Sequence, residues 1–161
     1  MFLLCSFRPK FAYVPNKWKQ VGMIAGGTGI SPMLQVMEKI LSDPNDKTQV
    51  SLVCANTTPQ DILLKERLDA LAKQYGPNRV KVTYVVDKPD AEWKGSKGYI
   101  TRELLSSSLP QPGVDNFTYV CGPPGFMEHV SGNKNLKDFS QGELKGLLKE
   151  MGWTESNVLK F

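Results

Sequence analysis

The segment at residues 24–32, with the sequence IAGGTGISP, constrains the fold of this chain more than any other. Its apolar residues stop at a glycine-rich turn and a helical pattern follows, which predicts a strand, a tight turn and a helix. The glycines leave space for backbone N–H groups to approach a ligand. Ser31 is predicted to be the N-cap of the helix and Pro32 its first residue. Because such a helix start attracts anions, the segment predicts a pyrophosphate-binding turn.

This turn also departs from the usual dinucleotide fingerprint, since a proline stands where a helix-packing glycine is expected. A turn that uses glycine for its geometry alone is therefore the alternative interpretation. Thr28 has two possible roles as well, because its hydroxyl can reach a phosphate or nicotinamide, or can cap the turn.

The composition excludes several other classes of function. A length of 161 residues suits one domain, and the net charge of +4 is too diffuse to indicate nucleic acid binding. The three cysteines, Cys5, Cys54 and Cys121, lack metal-ligand spacing, and an odd count argues against a disulfide framework. A single histidine, His129, disfavours a Ser-His-Asp mechanism or a histidine-bound metal. The apolar residues 1–7 are too few to span a bilayer and lack signal-peptide features, so no membrane anchor is expected in this chain.

Alternating strand and helix patterns predict an α/β fold, a Rossmann-like parallel sheet of about five strands with helices on both faces. The predicted strands cover residues 21–25, 49–55, 80–86, 117–121 and 158–161. Helices are predicted from Pro32, from Thr58 through Tyr75, and over residues 101–108. A last helix is predicted from a capping box of Ser140 and Glu143, with Phe139 stapled onto Leu144. In such sheets ligands bind at the carboxyl ends of the strands.

A second motif, CGPPGFM at residues 121–127, follows the predicted fourth strand. Two prolines stiffen the chain, while Gly122 leaves room for a flat ligand. These features predict a rigid shelf that holds a planar ring, with Cys121 beside the reacting atoms in a steric role rather than as a nucleophile. A purely structural turn is the alternative.

Asp87, at the end of the predicted third strand, is a candidate for binding a ribose. Its carboxylate can accept hydrogen bonds from the ribose diol and would repel a 2′-phosphate, which favours NADH over NADPH. The acid usually found after the second strand is absent, and Asn56 stands there instead. A solvated loop aspartate is the alternative, and Lys88 would soften the exclusion of a phosphate.

Taken in order, the glycine turn, the segment Asp61-Ile62-Leu63-Leu64 and the CGPPGFM motif resemble the ferredoxin-NADP reductase superfamily. Within it the chain is similar to the NADH-cytochrome b5 reductase family, and its tail to the mitochondrial type. The resemblance implies an NADH-binding oxidoreductase domain over residues 20–161, preceded by residues 1–19 as the remnant of an interdomain connection. It also implies hydride transfer from NADH to FAD, with electrons passing on to cytochrome b5.

The resemblance implies a particular set of site residues. Thr28 and Cys121 are expected at the contact between nicotinamide and flavin, as the catalytic pair. The expected cofactor-binding residues are Gly26, Gly27, Thr28, Gly29, Ser31, Pro32, Asn56, Asp87, Cys121, Gly122, Pro123, Pro124 and Met127. No metal ligands are expected.

Members of the family also carry an FAD-binding domain, whose arginine-tyrosine-serine/threonine motif is missing here. We therefore expect a half-enzyme that needs an FAD-binding domain as its partner and is associated, as the family implies, with the mitochondrial outer membrane. A non-catalytic nucleotide-binding module or truncated remnant is one alternative, and a related flavin reductase with another electron acceptor is a second.

Overall fold

The computed structural model describes residues 13–161, so the predictions for the apolar N-terminus and Cys5 lie outside the described residues. The strands are β1 (Gln20–Gly26), β2 (Gln49–Asn56), β3 (Val80–Val86), β4 (Ser96–Lys97), β5 (Asn116–Cys121) and β6 (Val158–Lys160). The helices are α1 (Ile30–Ser42), α2 (Lys65–Tyr75), α3 (Arg102–Ser108), α4 (Pro124–Val130) and α5 (Gly146–Glu150). Three short 3₁₀ helices cover Gly27–Gly29, Pro59–Asp61 and Glu155–Asn157.

The strands form one parallel sheet in the order β4-β3-β2-β1-β5-β6, which confirms the predicted fold class. The prediction of about five strands missed β4, because two residues carry no alternating pattern that a sequence can show. The order of the strands reverses between β1 and β5, since β2 lies on one side of β1 and β5 on the other. Ligands of open α/β sheets bind beside such a switch point.

The core lies on both faces of the sheet, as predicted. Alternate residues of β1 divide between the two sides: Met23 joins a cluster with α1 and α2, while Ile24 joins a cluster with α3, α4 and α5. This division follows from the two-residue period of a strand. Two covered faces hold the strands rigidly, so the loops at the strand ends start from fixed positions.

One of the two middle predicted helices differs in the structure and the other is confirmed. The helix predicted from Thr58 through Tyr75 is broken: the capping box of Thr58 and Asp61 closes a 3₁₀ turn, and α2 begins only after Leu64, which has a left-handed φ of 58°. The helix predicted from Thr101 is confirmed as α3, because the Thr101 side chain caps the N–H of Leu104.

The start of the last helix was predicted wrongly. Phe139 is exposed with a φ of 56°, so it does not staple onto Leu144. α5 begins at Gly146. The segment before it is held instead by the edge strand, because the Gln141 side chain exchanges two hydrogen bonds with the backbone of Lys160, at 2.6 and 2.9 Å. These contacts join residues distant in sequence, which a local capping pattern cannot show.

Candidate dinucleotide-binding site

The candidate site residues come together at the carboxyl edge of the sheet. Gly26 ends β1, Asn56 ends β2, Asp87 follows β3, and Cys121 ends β5. The register aligns these ends, since Ala25 pairs with Cys121 in the strand on one side and Gly26 pairs with Ala55 in the strand on the other. The parallel strands therefore place these four predicted site residues at one edge.

The glycine turn forms the start of α1 two residues earlier than predicted. Gly27–Gly29 is a 3₁₀ turn, and Gly29 rather than Ser31 occupies the N-cap position, without any side-chain cap. Ser31 and Pro32 are the second and third residues of α1, so the predictions of Ser31 as the N-cap and of Pro32 as the first helical residue were wrong. The glycines can fold into the tight turn themselves, which moves the helix start toward β1. With no side chain capping it, this helix start keeps its free N–H groups available to an anion.

The turn packs directly against the end of β5. A Cβ built on Gly29 would lie 2.2 Å from the carbonyl oxygen of Cys121 and 3.0 Å from the nitrogen of Gly122, and both atoms belong to the backbone. No residue with a side chain fits there, so glycine is required by close approach. Gly27 has a φ of 54° and open space where its side chain would be. One side of the turn is thus locked to β5 while the other faces solvent.

The CGPPGFM motif is a helix start as well as a shelf. Pro123 is the N-cap of α4 and Pro124 its first residue, a position where proline loses no hydrogen bond. This helix was not predicted from the sequence. Both prolines are exposed at the carboxyl edge, but Met127 is buried and its N–H donates to the carbonyl of Pro123. Met127 therefore contributes to the core, and its side chain does not form part of an exposed ligand surface.

The thiol of Cys121 is half-buried, and its chemistry favours the steric role. Burial raises the pKa of Cys121, an effect that the charge of Lys134 only partly offsets. Burial also raises the pKa of Cys54 to about 11. Both thiols therefore stay protonated at neutral pH, which makes them poor nucleophiles. Both pair with Ala25 from opposite sides, so their Cα atoms lie about 9.6 Å apart, too far for a disulfide.

The loop after β3 carries Asp87, which is half-buried. Its N–H donates to the carbonyl of Asn56 at 3.1 Å, and the N–H of Lys88 donates to Thr57 at 2.7 Å. Within residues 13–161 the Asp87 carboxylate has no hydrogen bond or ion pair, so it is available to a ligand hydroxyl. The Asn56 amide donates to the sulfur of Cys54 at 3.4 Å. Asn56 thus positions Asp87 through its backbone, and its side-chain oxygen stays free.

An aromatic residue that no sequence pattern indicated lies near this carboxylate. The N–H of Gly98 donates to the carbonyl of Val86 at 2.8 Å, which places the next residue, Tyr99, near Asp87. Tyr99 is 75% exposed, an unusual position for a large ring. The signal in the sequence was a lone aromatic after a glycine, between strands, which has no distinctive spacing. A flat apolar surface next to a free carboxylate suits a nucleoside.

A cleft lies at the opposite, amino edge of the sheet. It has a volume of about 690 Å³ and is lined by residues such as Trp18, Lys47 and Val114. None of the predicted site residues borders it. No group of three or more potential metal ligands clusters anywhere in the part of the chain that the structure describes. In that same part no helix has the length and apolarity needed to cross a bilayer.

A parallel α/β sheet with a glycine turn at its switch point defines a nucleotide-binding class of domain. The chain belongs to the oxidoreductase NAD-binding domain family, whose model matches residues 23–132. It is 54% identical over 152 residues to an NADH-cytochrome b5 reductase-like protein of Arabidopsis thaliana, covering 94% of this chain and 45% of that protein. It is 49% identical to NADH-cytochrome b5 reductase 2 of Scheffersomyces stipitis, covering 94% and 50%.

Solved structures agree with these relatives. The cytochrome b5 reductase domain of Ulva prolifera nitrate reductase matches with a TM-score of 0.74 and 38% identity, over 89% of this chain and 50% of that one. The CS-b5R domains of human Ncb5or, in an NAD⁺ form, match with a TM-score of 0.71 and 25% identity, over 90% and 37%. The chain spans about half the length of the curated relatives it matches, so it corresponds to their NAD-binding part.

Proposed function

We propose that this chain is the NADH-binding domain of an NADH-cytochrome b5 reductase, which holds NADH for hydride transfer to FAD before electrons pass to cytochrome b5. One observation carries the proposal: the uncapped glycine turn lies locked against Cys121 and Gly122 at the switch point of the sheet. Around that turn the strands bring a free carboxylate and a protonated thiol to the same edge.

The turn and the end of β5 have distinct tasks in this proposal. The N–H groups around Gly27–Gly29 bind the pyrophosphate of NADH, helped by the positive end of α1. The exposed Thr28 hydroxyl and the Cys121 thiol contact the nicotinamide and fix its plane. Hydride transfer depends on that orientation, and neither group takes part in covalent chemistry.

The adenosine half of NADH lies along the end of β3. Asp87 accepts hydrogen bonds from the ribose hydroxyls, and Tyr99 stacks on the adenine. A 2′-phosphate would place negative charge beside the Asp87 carboxylate, which predicts a preference for NADH over NADPH. Lys88 reduces this preference without removing it.

In this proposal the flavin binds to the half of the relatives that this chain does not match. The residues that the structure describes contain one glycine turn of the dinucleotide type, and we assign it to NADH. When bound in the partner domain, FAD accepts the hydride and releases single electrons. Assignment of cytochrome b5 as the acceptor, and of a mitochondrial location, rests on the resemblance of the glycine turn, CGPPGFM motif and tail to that family.

Calorimetric titration of the purified chain with NADH and NADPH tests the proposal. We expect NADH to bind more tightly than NADPH, and we expect the preparation to carry no flavin. A chain that binds neither nucleotide, or that is purified yellow with bound FAD, would contradict it.

A non-catalytic nucleotide-binding module is the competing function, because the chain spans only half of its relatives. Mixing the chain with a separately produced FAD-binding domain and following NADH-dependent ferricyanide reduction separates the two. Reduction that requires both domains supports the reductase. A mixture that binds NADH and FAD but reduces no ferricyanide supports the module.

A further inference from the structure

The ring of Phe126 lies between the two loops of the candidate site. A Cβ built on Gly26, at the end of β1, would lie 2.9 Å from Cγ of Phe126. A Cβ built on Gly122, just after β5, would lie 2.4 Å from Cδ1 of the same ring. Both glycines therefore contact the base of one aromatic side chain, and the ring spans the gap between the glycine turn and the CGPPGFM motif.

Backbone conformation does not explain why these two positions are glycine. Gly26 has a φ of −108°, which any residue can adopt, and Gly122 also lies outside the left-handed region. The contact is with Cγ and Cδ1, near the root of the side chain, so the ring cannot swing aside to admit a methyl group. Phe126 itself is half-buried and packs against the core cluster that contains α3, α4 and α5, which holds the ring in place. The ring thus accounts for both glycines.

We infer that Phe126 is a positioning residue, which sets the spacing between the pyrophosphate turn and the Cys121–Gly122 backbone. This inference rests on the proposed function, and it deepens that function by assigning control of the nicotinamide half of the site to a core-anchored ring. The adenosine half lies at the end of β3, two strands away from β1, and does not contact the ring. Loss of the ring would therefore loosen one half of the dinucleotide site and spare the other.

The test compares two ligands on the full 161-residue chain: NADH, which spans the whole site, and AMP, which carries only the adenosine half. Phe126→Ala is expected to lower NADH affinity relative to AMP affinity about tenfold, equivalent to about 1.4 kcal/mol. Phe126→Met is expected to recover most of the native ratio, because a long unbranched side chain can fill the same gap. Affinities come from calorimetry for NADH and from NMR titration for AMP.

Leu147→Ala is the matched control, since Leu147 is half-buried in the same cluster but lies on α5, away from the strand ends. It is expected to lower thermal stability and leave the ratio of affinities unchanged. If Phe126→Ala does not fold, Phe126→Val gives the same comparison, because its short side chain leaves most of the space of the ring unfilled. Equal loss of NADH and AMP binding in the folded Phe126 variant, or no loss of either, would overturn the inference. The native chain distinguishes this outcome from failure of the proposed function. If the native chain binds NADH and AMP, the variants test the role of Phe126. If it binds neither, the proposed function itself fails.

Discussion

The two edges of the sheet differ in how their polar groups are used. At the amino edge the polar groups satisfy one another: the Tyr13 hydroxyl donates to the buried Asp46 at 2.5 Å, and the Arg79 guanidinium donates to the carbonyls of Asp46 and Thr48. The side chains of Lys19 and Asp115 form an ion pair there. At the carboxyl edge, by contrast, several polar groups have no hydrogen-bond partner within the described residues.

The carboxyl edge shows the opposite pattern. In residues 13–161 the side chains of Thr28, Ser31 and Asp87 make no hydrogen bond, and the N-cap of α1 is a glycine. The amino edge holds a cleft of about 690 Å³, yet its polar groups already have partners. Unsatisfied hydrogen-bonding capacity held on a rigid frame thus identifies the ligand edge better than cavity volume does.

The sharpest test of the carboxyl edge is Gly29→Ala. The new methyl group would lie 2.2 Å from the Cys121 carbonyl oxygen, so β1 and β5 must separate at the turn. We expect NADH affinity to fall by more than about tenfold, equivalent to about 1.4 kcal/mol. The free energy of unfolding should fall by about 1–3 kcal/mol. Calorimetry and urea unfolding measure the two effects.

Gly125→Ala is its matched control, because a Cβ at Gly125 meets nothing within 4 Å. This substitution lies in a helix and is expected to change stability by no more than about 1 kcal/mol, in the stabilising direction. Native NADH binding by Gly29→Ala would show that the close contact has no part in the site.

Asp87→Thr tests the free carboxylate. Removing its negative charge should lower the ratio of NADH to NADPH affinity about tenfold, or about 1.4 kcal/mol, mainly by tighter NADPH binding. Asp90→Asn removes the same charge three residues away, from an exposed carboxylate that accepts a hydrogen bond from Gln60. It should leave the ratio unchanged. An unaltered nucleotide preference in Asp87→Thr would remove Asp87 from the site.

Asp46→Asn tests the amino edge, where we expect an effect on stability and none on NADH binding. Burial acts to raise the pKa of Asp46, but the hydrogen bonds from Tyr13 and Thr48 outweigh it and lower that pKa. A depressed folded-state pKa gives stability above the unfolded-state pKa, which disappears as the pH falls through the folded value. The variant should lose about 1–3 kcal/mol at pH 7 and progressively less in acid.

Urea unfolding at pH 7 and at pH 3 measures this dependence. Asp115→Asn is the control at the same edge, because its ion pair with Lys19 is exposed and should contribute less than about 1 kcal/mol. If Asp46→Asn weakened NADH binding while Asp115→Asn did not, the amino edge would take part in ligand binding, contrary to the assignment of the ligand to the carboxyl edge.

The smallest effect is expected for Cys121→Ala. A thiol that only shapes the surface can be replaced at a cost in NADH affinity of no more than about threefold, or about 0.65 kcal/mol. Because its pKa is raised, Cys121 should react with iodoacetamide more slowly at pH 7.5 than a free cysteine does, with Cys54 slower still. Peptide mapping by mass spectrometry distinguishes the sites. Rapid alkylation of Cys121 would show an activated thiol.

The sequence predicted the layered fold because each long strand is apolar and each is followed by a turn signal. It also predicted which strand ends carry polar or glycine residues, and parallel pairing then places Gly26, Asp87 and Cys121 at one edge. The predictions that failed concern features that depend on contacts between residues distant in sequence. Glu143 begins no helix because its carbonyl instead accepts a hydrogen bond from the buried Lys160 ammonium at 2.8 Å.

The details of the site show the same limit. Serine before proline is a common cap pattern, but the glycine turn ends two residues before Ser31, and Gly29 occupies the N-cap position instead. The contact between Gly29 and Cys121 joins residues 92 positions apart, as their numbers show, and no local pattern encodes it. The identity of the residues was therefore predictable, whereas their spacing and the role of Phe126 required the structure.

A crystal structure of the chain soaked with NAD⁺ tests the central claim most directly. We predict that the pyrophosphate lies against the N–H groups around Gly27–Gly29, with the adenosine ribose on Asp87. Electron density for the nucleotide in the amino-edge cleft beside Trp18, with the glycine turn bare, would contradict it.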